Sequence, residues 1–510
     1  MTFPRVTAAE WRAQVDKELA GASFDKTLVF KTAEGLSIAP LYTEAPHTHM
    51  IGAGQPFRIV MRDETGMTEN DLEHGADGLW LSSPAVAQLQ NRDAFFVIDG
   101  PLPPNARADL QFALVGPPAA AKLISEQYPN GVAAMVSTLG YHDGGADSAD
   151  ELAFALAKGA SYLETMIEAG MTPVAAGKQL GVQISVGRDT LAELCKVRAL
   201  RVCWQKMLAA AKAESGRTLI HAVCSLSTLT QRDPWVNMLR TTTQIFAAVL
   251  GGADLVTPIS FDRALGAPSA LARRVARNTG LVLREESSLG RVSDPAAGSY
   301  YLETFTDELA REAWKRFQAI EKEGGIDELR ASGKLEERLA ASWTERLKLL
   351  ASRRAPIVGV SEFANLDEQL PSEPIAITTM GHRDSEQFEL LRVRVEKASN
   401  PVEAVLVTLG SFADSRARVG FATGFFAAGG IRTRETDQNE HASIACLCGT
   451  DEQYATEGVA RVKALRAAGC QKVLLAGKPG ALEFGLRAAG IDGFIFVGCD
   501  VIATLNEVLS

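Results

Sequence analysis

The chain has 510 residues, of which 46% are hydrophobic and 44 are glycine, with a formal net charge of −10. That length suits two or three domains, with room for a barrel of about 250 residues, and the composition is that of a turn-rich globular α/β protein rather than a disordered one. The acidic balance argues against a nucleic acid or an anionic membrane as partner.

The first residues, MTFPRVTAAEWRAQVDKEL, lack the apolar core of a signal peptide. No run reaches the ~18 apolar residues of a membrane span, so a cytoplasmic location is expected. The seven cysteines (195, 203, 224, 446, 448, 470 and 499) are scattered and sit mostly inside apolar runs. This is the reduced, buried usage of a cytosolic protein, not a disulfide framework.

Thr7-Ala-Ala-Glu10 has capping-box spacing and predicts a helix to about Leu19 with Trp11, Val15 and Leu19 on one face. Residues 1–40 are read as a helical arm that packs on the chain's own core or lies on another subunit. From residue 78 onward short apolar runs recur: GLWLS, AFFVIDG, QFALVG, AMVSTLG, VQISVG, TLIHAVCS and DLVTPIS. Helical stretches at 148–169, 190–214 and 234–251 separate the later ones. Strands alternating with helices imply a parallel sheet. Seven such strands, with Phe57–Met61 or an irregular segment as an eighth, fit a (β/α)₈ TIM-type barrel over residues 41–345. A basic amphipathic helix is expected at 270–285, then a turn-rich SDPAAGSYYLE leading into a helix over 304–324. Residues 346–395, with Pro356, Pro371 and Pro374, read as an inter-domain linker.

Residues 396–510 read as a doubly wound, flavodoxin-like domain with strands at 404–409, 443–448, 472–476 and 493–497. Its first unit is VEAVLVTLG, then SFADSR as a polar loop, then a helix closed by Gly429-Gly430. In an open α/β sheet the loop leaving the carboxyl end of a strand is where ligands sit. Ser411–Arg416 is therefore the first stretch to test.

Candidate chemistry elsewhere is sparse. Tyr141-His142 follows AMVSTLG, and catalytic groups collect at the carboxyl ends of barrel strands. A His there can give a proton or hydrogen bond to a carbonyl, and equally the pair can cap the next segment. His221 lies inside TLIHAVC, where a hydrogen-bonded core histidine is the plainer reading. His47-Thr-His49 and Cys446-x-Cys448 lack a second half at zinc-site spacing. Gly144-Gly145 and Gly477-Lys478-Pro479-Gly480 complete neither phosphate-binding glycine motif. No metal site is expected, and no self-evident catalytic set emerges.

Asp294-Pro-Ala-Ala-Gly-Ser-Tyr-Tyr-Leu-Glu303, with 140–163, 241–262 and 276–287, resembles the adenosylcobalamin-dependent acyl-CoA mutases over nearly the whole chain. FATGFFAAGGI (421–431) and LRAAGIDGFIFVGCDVIATL (486–505) place the likeness closest to the small (beta) subunits of heterodimeric methylmalonyl-CoA mutases. The resemblance implies a barrel that takes coenzyme A along its axis in catalytic subunits, a flavodoxin-like domain that carries cobalamin, and a place in propionate metabolism. It matches Tyr141-His142 to the family's Tyr-His pair and His221 to the His of a His-Thr-Gln strand, with Val223 in the glutamine's place. Two substrate-binding segments have no counterpart in PLYTEAPHTHMIGAGQPFRIV or in PPAAAKLISEQYPNGVAA. At the family's Asp-x-His-x-x-Gly cobalt motif, Ser411 stands at the Asp, Ala413 at the His and Arg416 at the Gly. Alanine cannot ligate cobalt.

The likeness therefore implies a non-catalytic subunit, inactive alone, paired with a homologous catalytic large subunit. That large subunit would hold adenosylcobalamin and acyl-CoA, and would interconvert (R)-methylmalonyl-CoA and succinyl-CoA. Tyr141, His142 and His221 are then remnants, and no cofactor is expected on this chain. The alternatives are a self-sufficient mutase with a divergent site, and a non-enzymatic scaffold for acyl-CoA or cobalamin proteins.

Overall fold

The computed structural model describes residues 6–47, 51, 56–64, 66, 68–214, 216–370 and 381–510. The chain divides into two compact units, residues 1–225, 239–260 and 267–343 in the first and residues 226–238, 261–266 and 344–510 in the second.

The first unit holds strands β1 (Arg58–Arg62), β2 (Gly78–Ser82), β3 (Phe95–Asp99), β4 (Gln111–Val115), β5 (Gly131–Ser137), β6 (Leu180–Val186), β7 (Ile220–Cys224) and β8 (Leu255–Thr257). They form the expected closed parallel barrel, with β8 pairing β1 through Leu255↔Arg58. The two faces of each strand bury different cores, as a period of two requires. Ile59, Leu79, Phe96 and Phe112 point outward into a core shared with the helices. Val60, Trp80, Phe95, Val97, Ala113, Met135, Val223 and Leu255 form a separate cluster inside the barrel. Trp80 is 3% exposed, with its indole edge-to-face on His221 at 5.6 Å and the Arg62 guanidinium 4.2 Å over its ring. The lumen is a packed core.

Early helices are short, at Thr68–Glu73, Ser83–Leu89 and Ala121–Gln127. Full-length ones follow at Ser148–Glu168, Thr190–Ala210 and Tyr300–Lys322. Alanines and Gly159 allow the first two to approach closely, since a Cβ on Gly159 would lie 2.6 Å from the Trp204 ring. The last of the three begins earlier than its sequence suggests, because Tyr300 already opens the helix. Asp294, ahead of it, adopts φ 45°. Its carboxylate accepts from Arg198 and, at 2.8 Å, from the Ile51 amide, while Arg198 also reaches Glu303 at 3.0 Å. The motif that carries the family resemblance is thus a buried ionic clamp.

The N-terminal helix, Ala8–Glu18, has the Thr7/Glu10 capping box in place, yet none of its residues is buried. Trp11 packs on Phe24 at a centroid distance of 6.2 Å, and Arg12 lies over the same ring. Trp11, Val15 and Leu19 stay half-exposed.

In the second unit, strands β9 (Glu403–Thr408), β10 (Arg432–Thr436), β11 (Ile444–Cys448), β12 (Lys472–Ala476) and β13 (Gly493–Ile495) form a parallel sheet in the order β10-β9-β11-β12-β13, the flavodoxin-like order. The sequence reading passes over β10 because RTRET has no apolar run, and its side chains are exposed or half-buried at the sheet edge. Gly430 takes φ 82° just beyond the helix it terminates. Of the expected linker, residues 352–370 are mostly turns and Glu386–Glu396 is helical. Pro371 and Pro374 lie outside the described residues. Among the described residues no helix is long and apolar enough to cross a membrane.

A packed lumen has a measurable cost of disruption. Trp80→Ala is expected to lower unfolding free energy by about 3–5 kcal/mol in urea denaturation. A change below about 1 kcal/mol would mean that the axis is open rather than filled.

Candidate functional site

At the carboxyl end of β5 the chain turns into the short helix Leu139–Asp143 carrying Tyr141 and His142. Tyr141 is 8% exposed and packs on Phe154 of the Ser148–Glu168 helix at 5.2 Å, and its hydroxyl accepts from Arg330 at 3.1 Å. Burial pushes its phenol up, with Arg330 opposing. The ring belongs to the core between barrel and helices, not to the lumen cluster.

His142 reaches Ser225 Oγ with Nε2 at 2.8 Å and Glu151 Oε2 with Nδ1 at 3.3 Å. Ser225 follows β7 directly, and Glu151 stands in the first turn of the Ser148–Glu168 helix. Glu151 also accepts from Thr138 Oγ1 at 2.7 Å, from the Ser185 amide at 3.1 Å and from Lys196 Nζ at 2.9 Å. Burial alone would raise its carboxyl, but Lys196, His142 and the hydrogen bonds hold it down at about 2. Lys196 shows the mirror balance: burial lowers its ammonium, while Glu151 and Glu193 (at 2.6 Å) keep it above its ordinary value.

The order Ser225–His142–Glu151 has the connectivity of an acyl-transfer triad. Ser225 and Glu151 are 0% exposed, however, and the carboxylate already balances a buried lysine. The hydrogen bonds tie the carboxyl ends of β5, β6 and β7 to the Ser148–Glu168 helix through Thr138, Ser185 and Ser225. Sequence reasoning reached His142 but not its partners. Glu151 and Lys196 look like solvated helix charges until the fold buries them, and the only hint was their placement in otherwise apolar helical stretches.

His221 occupies the lumen side of β7 at 0% exposure. Ser137 Oγ donates to Gln183 Oε1 (2.7 Å), and Gln183 Nε2 donates to His221 Nδ1 (3.1 Å). His221 Nε2 then donates to Thr257 Oγ1 (2.8 Å), and Thr257 donates to the Val60 carbonyl (2.8 Å). Only the neutral Nε2–H tautomer satisfies every link. Burial, reinforced by Arg62, drives the ring down to about 3. The relay spans β5, β6, β7, β8 and β1, crossing the seam where the barrel closes. Val223, two residues on, lies in the lumen core where an amide would have to be satisfied.

At the carboxyl end of β9 in the second unit the polar loop expected over Ser411–Arg416 is replaced by helix from Phe412 onward. Ser411 is the N-cap of helix Phe412–Ala428, and Ser411 with Asp414 forms a capping box. The S-x-x-D spacing nucleates the helix at Phe412, ahead of its apolar pattern, whose first buried member is Val419. Ser411 Oγ lies 2.8 Å from Asp414 Oδ2, and these hydrogen bonds lower the Asp414 carboxyl. Ala413 and Arg416 are exposed on the first turn, with Arg416 over the Phe412 ring at 5.4 Å. Gln453 of the neighbouring capping box bridges to Asp414 at 3.4 Å and lies against Gly410, whose φ is 70°. A Cβ on Gly410 would fall 1.8 Å from the Gln453 amide nitrogen.

This donor set does not fit cobalamin. Among the described residues no group of three or more His, Cys, Asp or Glu could hold a metal. No buried polar side-chain atom between residues 403 and 500 lacks a partner. His441 precedes β11, at the opposite end of the sheet from Ala413. Cys446 and Cys448 are both buried within β11, and His49 lies outside the described residues. Gly144-Gly145 serves packing, since a Cβ on Gly145 would lie 2.7 Å from Trp343 Cβ. Gly480 opens a single 3₁₀ turn after β12.

A family model described as methylmalonyl-CoA mutase matches residues 118–427. The Streptomyces virginiae methylmalonyl-CoA mutase small subunit is 34% identical, covering 99% of this chain and 97% of that protein. The small subunit from Propionibacterium freudenreichii subsp. shermanii is 36% identical over 72% of this chain and 61% of its own length. The Escherichia coli methylmalonyl-CoA mutase is 32% identical over 54% of this chain and 39% of its own.

The relay has a pH signature. His221 is neutral when folded, whereas its ordinary pKa is 6.5. The unfolded chain therefore binds the extra proton, and stability falls as pH drops from 6.5 toward 3. Between about pH 6.5 and about pH 5 this group adds a slope approaching about 1.4 kcal/mol per unit. His221→Gln is expected to be less stable at neutral pH and to flatten the slope relative to wild type, the comparison cancelling the contribution of all other groups. Parallel slopes in urea denaturation would mean that the folded ring carries a proton.

Proposed function

Because this chain belongs to the methylmalonyl-CoA mutase family, we propose that it is the non-catalytic small subunit of a heterodimeric mutase. Its partner is a homologous large subunit that carries adenosylcobalamin and acyl-CoA and interconverts (R)-methylmalonyl-CoA and succinyl-CoA. The observation that carries this reading is the filled barrel: Trp80, Phe95, Val97 and Met135 take up the axis that a pantetheine chain would need. Ala413 at the cobalt-ligand position and the capping boxes beneath it support the same conclusion. Tyr141, His142 and His221 have hydrogen-bond partners within the fold, so on this reading they keep the shape of the barrel rather than act on substrate.

What the subunit contributes is surface and rigidity. The helix Ala8–Glu18, with its half-exposed Trp11, Val15 and Leu19, is one candidate contact with the large subunit, and the stretch between the two domains is another. Burial of such side chains returns about 25 cal/mol per Å² of apolar surface.

Purification of the chain alone and with a co-expressed large subunit tests the assignment. The complex is expected to show cobalamin absorbance and the chain alone none. Stoichiometric, tight cobalamin uptake by the single chain would sink the proposal. His142→Ala is expected to leave turnover of the assembled complex within about twofold while lowering its melting temperature by several degrees. A loss of about a hundredfold or more in turnover, with the complex still assembled, would instead make His142 a catalytic acid.

A further inference from the structure

The helices Ser148–Glu168, Thr190–Ala210 and Tyr300–Lys322 bring their carboxyl-terminal thirds together around a groove of about 750 Å³ on the outside of the barrel unit. Leu163, Ile167, Met207, Trp314 and Phe317 supply its apolar floor. Glu164, Glu168 and Glu321 stand on its lip. Among the described residues no salt bridge or side-chain hydrogen bond engages any of the three carboxylates. Burial and the neighbouring Glu164 push the Glu321 carboxyl up.

This placement runs against the usual preference at helix ends. A helix carboxyl end carries about half a negative charge and favours cations in its last turn, yet the Ser148–Glu168 helix has no basic residue there and ends in Glu168. Lys322 is a cation on the lip, and Lys206 is held 4.3 Å over the Trp314 ring, so an excess of negative charge remains. An apolar floor under unpaired carboxylates and converging helix ends is complementary to an apolar group with a cation beside it.

We propose that this groove docks an amphipathic segment of a partner protein. An aliphatic or aromatic side chain of that segment sits against Trp314 and Met207, and its lysines or arginines pair with Glu164, Glu168 and Glu321. The form of the groove favours a polypeptide over a small molecule. Ala210, Gln318 and Lys322 on its lip are exposed, whereas a pocket that retains a small ligand usually buries most of it. A helix lying across the lip meets the groove through side chains one turn apart and reaches charges on both sides.

The test uses the full-length chain and two synthetic amphipathic helices that share one leucine stripe, one flanked by arginine and the other by glutamate. Calorimetric titration at about 50 and about 300 mM salt is expected to give at least tenfold tighter binding of the arginine peptide, weakening with salt. The triple variant Glu164→Gln/Glu168→Gln/Glu321→Gln, altered only at exposed positions, is expected to lose at least tenfold in affinity and most of the salt dependence. Met207→Glu, a second variant that fills the floor with charge, is expected to abolish binding, with circular dichroism checking its fold. Equal affinity of the triple variant for the arginine peptide would overturn the proposal. So would equal affinity of wild type for the two peptides, or a decyltrimethylammonium probe binding as tightly as the arginine peptide, which would make the groove a small-amphiphile site.

Discussion

Eight parallel strands enclose a fixed space, and close packing of side chains within it is the constraint from which the rest of this molecule follows. Trp80 lies edge-to-face with His221 inside the barrel, and Val60, Val97, Met135 and Val223 belong to the same apolar cluster as Trp80. Protein interiors tolerate few voids, and this apolar cluster gives the inside of the barrel a core of its own.

Polar residues at the carboxyl ends of the strands find their partners within the barrel unit. Glu151 supplies them for Thr138, His142 and Lys196, and the relay through Gln183 and His221 supplies them for Ser137 and Thr257. Both are buried networks with their polar groups engaged, the condition under which such groups rigidify a fold rather than destabilise it. The same economy holds beyond the carboxyl ends of β9 and β11, where Ser411, Asp414, Thr450 and Gln453 satisfy one another.

Strand and helix periodicity made much of this legible. The apolar runs became barrel strands, and the doubly wound order followed from four strands separated by helices. What stayed hidden had a common cause, because its signal lay in partners distant along the chain. β10 is polar because it is an edge. Lys196 and Glu151, 45 positions apart, read as surface charges until the fold buries them. The start of the helix at Phe412 differs from the expected loop over Ser411–Arg416 for a local reason: the apolar stripe of the helix begins only at Val419, and the Ser411/Asp414 capping box, visible in the letters, sets the boundary instead. The chemistry of Ala413 was legible from its side chain alone.

The relay across the barrel wall has a consequence for which substitutions the fold can accept. Each of Gln183, His221 and Thr257 receives a hydrogen bond from one neighbour and passes one to the next. Replacing any one of them leaves two others unmatched in a dry interior, where an unpaired group costs about 1–3 kcal/mol. Single changes along this line are therefore strongly epistatic, while Val223, on the same strand but outside the chain of donors, is free to vary within its volume. Related sequences should change Gln183, His221 and Thr257 together or not at all, a pattern of covariation that arises from the direction of hydrogen bonding and does not depend on catalysis.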